Sequence, residues 1–355
     1  MSPAAEVIRG DLNSEEEKVM MVNRRALAMT VGLFLMLCLA FVPQAFGATW
    51  DEPWHKDVVA RADSFGLFEV VSSTPFRTVF KKVRSLAGVD TEDSVQVDGF
   101  YDGAPLSTSS INGGFDDELS QRFTVRRSYY LFLKKAPSGN TWRIATPTSG
   151  FALLGQDGKV TATFRISMHQ AVVDPKIYEL TQTCIFQRLH GLEKCLPEVY
   201  KYIDDQVSIE PPIMSGNLAA SQLERFYLQH AALETAYLAG YPLPREALSK
   251  FLTNDAFHVQ ISGVRALSAS SDKDRNQQLM TFVMDRTKAP VARVIAVRMI
   301  REVNARELKD MIVAYLPDAP SEETGLGMNI MDPRIGTVFP GSLKEALTEL
   351  VADWK

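Results

Sequence analysis

Cys184, His190 and Cys195 stand within twelve residues, CIFQRLHGLEKC. Side chains of these types can hold a metal, exchange thiols or form a staple. A structural zinc site needs four ligands, and only three stand close here. The ten-residue gap between the cysteines also matches no usual zinc pair. A redox pair favours C-x-x-C. On one unbroken helix the two α-carbons would lie about 16 Å apart, beyond bonding range. Gly191 can end a first helix, however, and Pro197 can begin a second. Cys195 then falls in the connection and can fold back on Cys184. A disulfide between Cys184 and Cys195 is the expectation, with His190 at the helix end near its last carbonyls.

The other candidate chemistry is sparse. His55 sits in DEPWHKD with Asp51 and Glu52, a set that could bind a metal; a polar turn is the expected reading. His230 and Glu234 share one face of a helix, but no H-E-x-x-H accompanies them, so His230 is expected in a core or on its flank. His169 and His258 stand alone. The chain has no G-x-S-x-G, P-loop, dinucleotide glycine pattern or EF-hand loop. The carboxylate pairs Asp116–Asp117 and Asp204–Asp205 are sequence neighbours, and neighbours do not face one another across a substrate. No catalytic residue, cofactor or metal is therefore expected.

Two kinds of element must position these residues. From Ser64 to about Ser167 the pattern is that of strands. KVTATFRIS alternates Val160, Ala162, Phe164 and Ile166 with polar residues, a period of two. SYYLFLKK and WRIATPTSGFALL add aromatic and β-branched runs. Turn signals at 74–75, 137–140 and 156–159 separate the segments. Some six short strands point to a small antiparallel barrel, with a β-sandwich as the alternative. The order of elements resembles an OB-type barrel. That resemblance implies a binding face on the barrel, for which Arg126, Arg127, Tyr129 and Trp142 are the candidates. Residues 103–121, rich in Gly, Ser and Asp, form a long connection that is either a recognition loop or a solvated insertion.

After Asp174-Pro175 the period becomes helical. LSKFLTNDAFHVQISGVRAL (248–267) and LMTFVMDRTKAPVARVIAVRMI (279–300) then repeat one plan: an apolar helix, a short turn near an Asp, and a second apolar helix. Val264-Arg265 recurs as Val297-Arg298, 33 residues on, with Gly263 matched to Ala296. Over about 248–316 the chain resembles the HEAT-repeat family, in which a turn with Asp and Pro precedes V/A-R-x-x-A-x-x-x-L. Asp285, Pro290, Arg293, Ala296 and Ile300 fall in that pattern, whereas the first copy has Gln260 in place of the arginine. The resemblance implies stacked hairpins that share a core and serve protein binding. Arg293 is expected to reach Asp285 or a neighbouring turn.

These readings give an α+β chain of two domains, a small antiparallel β-barrel followed by a short HEAT-like α-helical solenoid. The expected bounds are 1–47 for an extension and signal peptide, 48–174 for the barrel, 175–209 for a linking helical hairpin with the disulfide, and 210–355 for the repeats. Arg24-Arg25, an apolar run at 26–42, Pro43 and the exit Ala45-Phe46-Gly47 read as a secretory signal cleaved before Ala48 or Thr49, with Met20 or Met21 as the start. Uncleaved, residues 26–42 would anchor the chain in a membrane. Cys38 would leave with the signal, and Leu37 before it excludes a lipidation site. Net charge is −5, and acidic residues interleave with the barrel's lysines and arginines, so nucleic acid is not expected as a partner. The functional expectation is an exported, non-catalytic protein-binding or scaffold protein of a bacterial-type cell envelope, its protein partner unidentified. The alternatives are an envelope hydrolase with a site between barrel and solenoid, and a carbohydrate-binding module using Tyr129 and Trp142.

Overall fold

The first half of the chain is built of strands, whose successive side chains point to opposite faces. The structure is a computed structural model that describes residues 53–101, 123–137, 139–164, 168–192, 195–214, 218–322, 324 and 340–354. The apolar segment 26–42, Cys38, Asp51, Glu52 and the 103–121 connection lie outside the described residues. A short helix α1 (His55–Arg61) leads into β1 (Ser64–Thr74), β2 (Arg77–Gly88), β3 (Ser94–Phe100), β4 (Ser128–Lys135), β5 (Trp142–Ile144) and β6 (Phe151–Leu153). Five strands close on themselves in the order β1-β2-β3-β5-β4-β1, and β6 extends β4. All pairings are antiparallel except β3 with β5, which run parallel through Val97–Trp142 and Phe100–Ile144. Three register shifts along β1 and β2 curl the sheet toward closure.

The barrel has two apolar faces. Phe68, Val70, Phe80, Val97, Leu131 and Trp142 fill its interior. Phe65, Leu67, Tyr130 and Phe132 point the other way, onto helices, and join the larger core. A strand covered on both faces reads as a continuous apolar run, and this is why SYYLFLKK shows no alternation. The most regular alternation in the chain belongs elsewhere. β7 (Val160–Phe164) pairs with β8 (Met168–Val173) in a separate two-stranded sheet that lies on a helix. Alternation reports one buried face and says nothing about which sheet owns it.

The helices follow as α2 (Pro175–Leu189), α3 (Pro197–Ser208), α4 (Ala220–Ala239), α5 (Arg245–Leu252), α6 (Phe257–Ser268), α7 (Arg275–Met284), α8 (Pro290–Glu302), α9 (Lys309–Tyr315) and α10 (Leu343–Asp353). Asp174 caps α2 by accepting from the Lys176 N–H at 2.9 Å, with Pro175 in the first turn. Among the described residues α3 packs on α4, α5 on α6, α7 on α8 and α9 on α10, and α4, α6, α8 and α10 form one continuous layer. Gly263 marks a close approach within this stack: a β-carbon there would meet Phe251 Cβ at 3.0 Å.

The repeat also explains two polar positions. Gln260 and Arg293 stand 33 residues apart, each in the first turn of its hairpin's second helix. Gln260 donates to the Asn254 carbonyl at 2.7 Å and accepts from the Ala289 N–H at 3.0 Å. Arg293 donates to the Val283 carbonyl at 2.7 Å and to the Tyr315 hydroxyl at 2.8 Å. Each thus ties its own hairpin to the next. Asp285, which the sequence offered to Arg293, instead accepts from the Thr287 N–H and hydroxyl at 2.9 and 2.7 Å.

Candidate functional site

Pro53 and Trp54 precede α1 and carry the chain onto the α4–α6–α8 layer. Arg265 of α6 and Arg298 of α8 hold the same position in successive hairpins. Both guanidinium groups approach the Trp54 ring, at 5.2 and 3.3 Å from its centroid. Arg265 also stands 4.4 Å from the Tyr237 ring of α4. Beneath the ring Arg265 is fully buried against Glu234 of α4. Its Nε lies 2.8 and 2.9 Å from the two carboxylate oxygens, and an Nη lies 2.8 Å from one of them. A buried carboxylate is tolerated only with such a partner. Arg265 Nη1 finds no acceptor among the described residues.

Glu302, at the end of α8, gathers the outer part of the cluster. It accepts from the Tyr237 hydroxyl at 2.6 Å and pairs with Arg298 at 3.3 Å and Lys56 at 3.5 Å. Burial opposes its ionisation, but the Tyr237 hydrogen bond and the charges of Lys56, Arg298 and Arg265 outweigh burial and hold its carboxyl below the usual range. Burial first, then nearby Glu302 and Glu234, push the Tyr237 hydroxyl up, so it stays a donor. His55, the residue between Trp54 and Lys56, is buried, in a helix rather than the expected polar turn. Its Nε2 lies 2.7 Å from Gln182 Oε1, and its ring meets the edge of Phe132. Burial lowers its pKa to about 4 against the raising effect of the Gln182 bond, and the charge of Arg265 adds to the lowering.

Beside this cluster the layer opens into a cleft of about 240 Å³ between α8 and α10. Val294, Val297 and Ala346 form apolar wall, while Arg298, Arg301, Glu302 and Glu349 supply charge. Arg301 pairs with Asp353 at 3.0 Å and Glu349 at 3.8 Å. Arg298 and Glu302 belong both to the Trp54 cluster and to the cleft, so the two adjoin. The arrangement can stack an aromatic ring and pair a cation on one helical layer.

The residues singled out in the sequence fall elsewhere. Cys184 and Cys195 form the disulfide, with α-carbons 4.7 Å apart, and Gly191 ends α2 at φ +64°. His190 ends α2 as expected, its backbone N–H bonding the Phe186 carbonyl at 3.1 Å, while its ring stacks on Phe186 at 4.2 Å and its Nε2 donates to the Val59 carbonyl at 3.0 Å, which ties α2 to α1. Tyr129 and Trp142 are 4 % and 3 % exposed and line the barrel interior. Neither ring is available on the barrel surface, contrary to the expectation, because β4 and β5 turn both inward. Tyr129 meets Phe123 edge-to-face at 5.1 Å, and Trp142 donates toward Glu92 at 3.4 Å. Arg126 is exposed and Arg127 half-buried, on the turn before β4, where the Arg126 N–H bonds the Val70 carbonyl at 2.9 Å. His230 is buried, with Nδ1 2.8 Å from the Ser262 hydroxyl. Glu234, read beside His230, belongs to Arg265. The one signal that could have exposed the Trp54 cluster was the 33-residue spacing of Arg265 and Arg298.

Among the described residues no helix is long and apolar enough to cross a membrane. Comparison with protein-family models, with characterised proteins and with solved structures finds no match to this chain.

Proposed function

We propose that this chain is an exported, non-catalytic partner-binding protein of the cell envelope, with an OB-type barrel serving as support and a HEAT-like stack as the binding element. The observation that carries the reading is the α8–α10 cleft, built by two successive hairpins with an apolar wall and charges on its margin. Stacked hairpins characteristically use such a layer as an extended binding surface. The Cys184–Cys195 bond supports an oxidising compartment, in keeping with the signal-like segment at 20–47. Barrel strand order and the parallel β3–β5 pairing support the OB-type reading. The carbohydrate alternative loses its platform, since both aromatic rings proposed for it are buried.

The test is cross-linking in intact envelopes followed by capture of a tagged chain. Wild type and Lys81→Glu, a change on the barrel, should recover the same partner. Arg301→Glu, a charge reversal in the cleft, should lose it. Recovery indifferent to Arg301→Glu, or no partner after repeated cross-linking, would overturn the proposal.

A further inference from the structure

The chain fills part of its own α4–α6–α8 layer, and the way it does so states what that layer recognises. We infer that this layer is a recognition site for segments that present an aromatic residue at a helix N-terminus and a basic residue two positions on, occupied here in cis by Trp54 and Lys56, and that a partner segment of the same pattern competes for it. The inference deepens the binding reading above and rests on it.

Four observations carry it. Arg265 and Arg298 come from equivalent positions of two hairpins and share one aromatic ring, at 5.2 and 3.3 Å. The repeat itself therefore builds the aromatic subsite. Two residues further along the segment, Lys56 meets Glu302 at 3.5 Å. Glu302 is oriented by Tyr237 and held ionised, which makes it a ready counter-charge for a cation. The base of the site is rigid: Glu234 and Arg265 are sealed, at 0 % and 1 % side-chain exposure. The occupant is not sealed, because Trp54 is half-buried and the Lys56 side chain is 45 % exposed.

The helix that carries this occupant has further anchors. Val58 and Val59 anchor α1 in the core, and the Tyr101 hydroxyl and His190 ring bond the Val58 and Val59 carbonyls. The Trp54 ring and the Lys56 ammonium can turn away from the layer while α1 stays docked. A stacked cation and an exposed ion pair are weak contacts singly, and tethering makes them effective in cis. A partner segment that also reaches into the α8–α10 cleft, which shares Arg298 and Glu302, gains contacts that the tethered segment does not make.

The probe is a fluorescein-labelled peptide copying residues 50–58, titrated by anisotropy onto the full chain. Trp54→Ala should bind it at least tenfold tighter than wild type does, since the cis ring no longer competes. Adding Arg298→Gln to Trp54→Ala should remove that gain, and a peptide with its tryptophans changed to alanine should not bind. Trp54→Leu, which keeps apolar bulk without an aromatic face, should behave as Trp54→Ala and serves if the alanine variant does not fold. Folded variants that bind no peptide, or that bind it equally with and without Arg298, would overturn the inference. Partner capture that survives while peptide binding fails would sink this inference alone. Peptide binding that survives without any captured partner would sink the envelope-partner reading alone.

Discussion

Glu234 and Arg265 could not each stay charged in this core alone. Their side chains are 0 % and 1 % exposed and meet at 2.8–2.9 Å. Removing one partner leaves the other charge buried and uncompensated, which typically costs about 3–5 kcal/mol. Glu234→Gln should lose stability in that range in urea unfolding. Glu234→Leu with Arg265→Met should lose less than the single change, because no charge is left behind. A double variant that is less stable than Glu234→Gln would show that the rings of Trp54 and Tyr237 depend on the guanidinium more than the charges depend on each other. His55 sets a different residue-scale expectation. Its pKa falls from 6.5 to about 4 on folding. The unfolded chain therefore takes up the proton first as pH drops, so stability is full above about pH 6.5 and is lost between there and about pH 4. From pH 7 to pH 5 the loss due to this one ring should be about 2 kcal/mol. His55→Gln, titrated by urea unfolding over the same range, should show a flatter profile. An unchanged slope would assign the pH dependence to other groups.

At the scale of elements, one local constraint fits β2 against α2 and a second braces α2 against the connection that follows it. Gly88 ends β2 at φ +77°, and a β-carbon there would stand 2.3 Å from the Asp63 carbonyl oxygen and 2.7 Å from the Phe186 ring. Gly88→Ala combines left-handed backbone strain with a clash against backbone, so a loss of about 2–4 kcal/mol is expected. The disulfide closes a loop with a sequence separation of 11 residues. Chain entropy gives it slightly under about 3 kcal/mol, and Cys184→Ala with Cys195→Ala should lower stability by about that much in non-reducing urea unfolding. The staple was legible because Gly191 and Pro197 punctuate the helices around it. The helical second half was legible because its apolar residues recur at three- and four-residue steps, and the 33-residue spacing matched Arg265 to Arg298, which meet one ring. The orientation of Tyr129 and Trp142 was not. Apolar residues on both faces of β4 leave no alternation from which to tell inward from outward. Trp54 was hidden for another reason: its partners lie more than 200 residues away, and no local period marks a single ring that docks on a distant layer. Glu234 pointed toward His230 in sequence, yet its partner is on the next hairpin.

Across the whole molecule, the barrel has an interior of its own but no independent outer face on β1 and β4. Phe65 and Phe132 stack at 4.4 Å and join Tyr178 of α2 in the same core that continues through α8. Tyr130 donates to Glu179 of α2 at 2.6 Å, and Arg84 of β2 pairs with the same carboxylate. Elements that share a core in this way should open together, since exposing either half exposes apolar surface of the other. Native-state hydrogen exchange should therefore report similar opening free energies for the Val97 amide in β3 and the Ile295 amide in α8, within about 1 kcal/mol. Tyr178 is 2 % exposed and sits edge-on to Tyr130 at 4.9 Å, at the junction itself. Tyr178→Ala should cost about 3–5 kcal/mol. It should also separate the two amides, because the stack keeps its inter-hairpin contacts while the barrel loses the cover of its outer face. If Val97 already opens well below Ile295 in the wild-type chain, the barrel is an autonomous folding unit and the shared core does not couple the halves. If both amides fall equally in Tyr178→Ala, the coupling is stronger than this one side chain, and Phe186 against Gly88 becomes the contact to remove next.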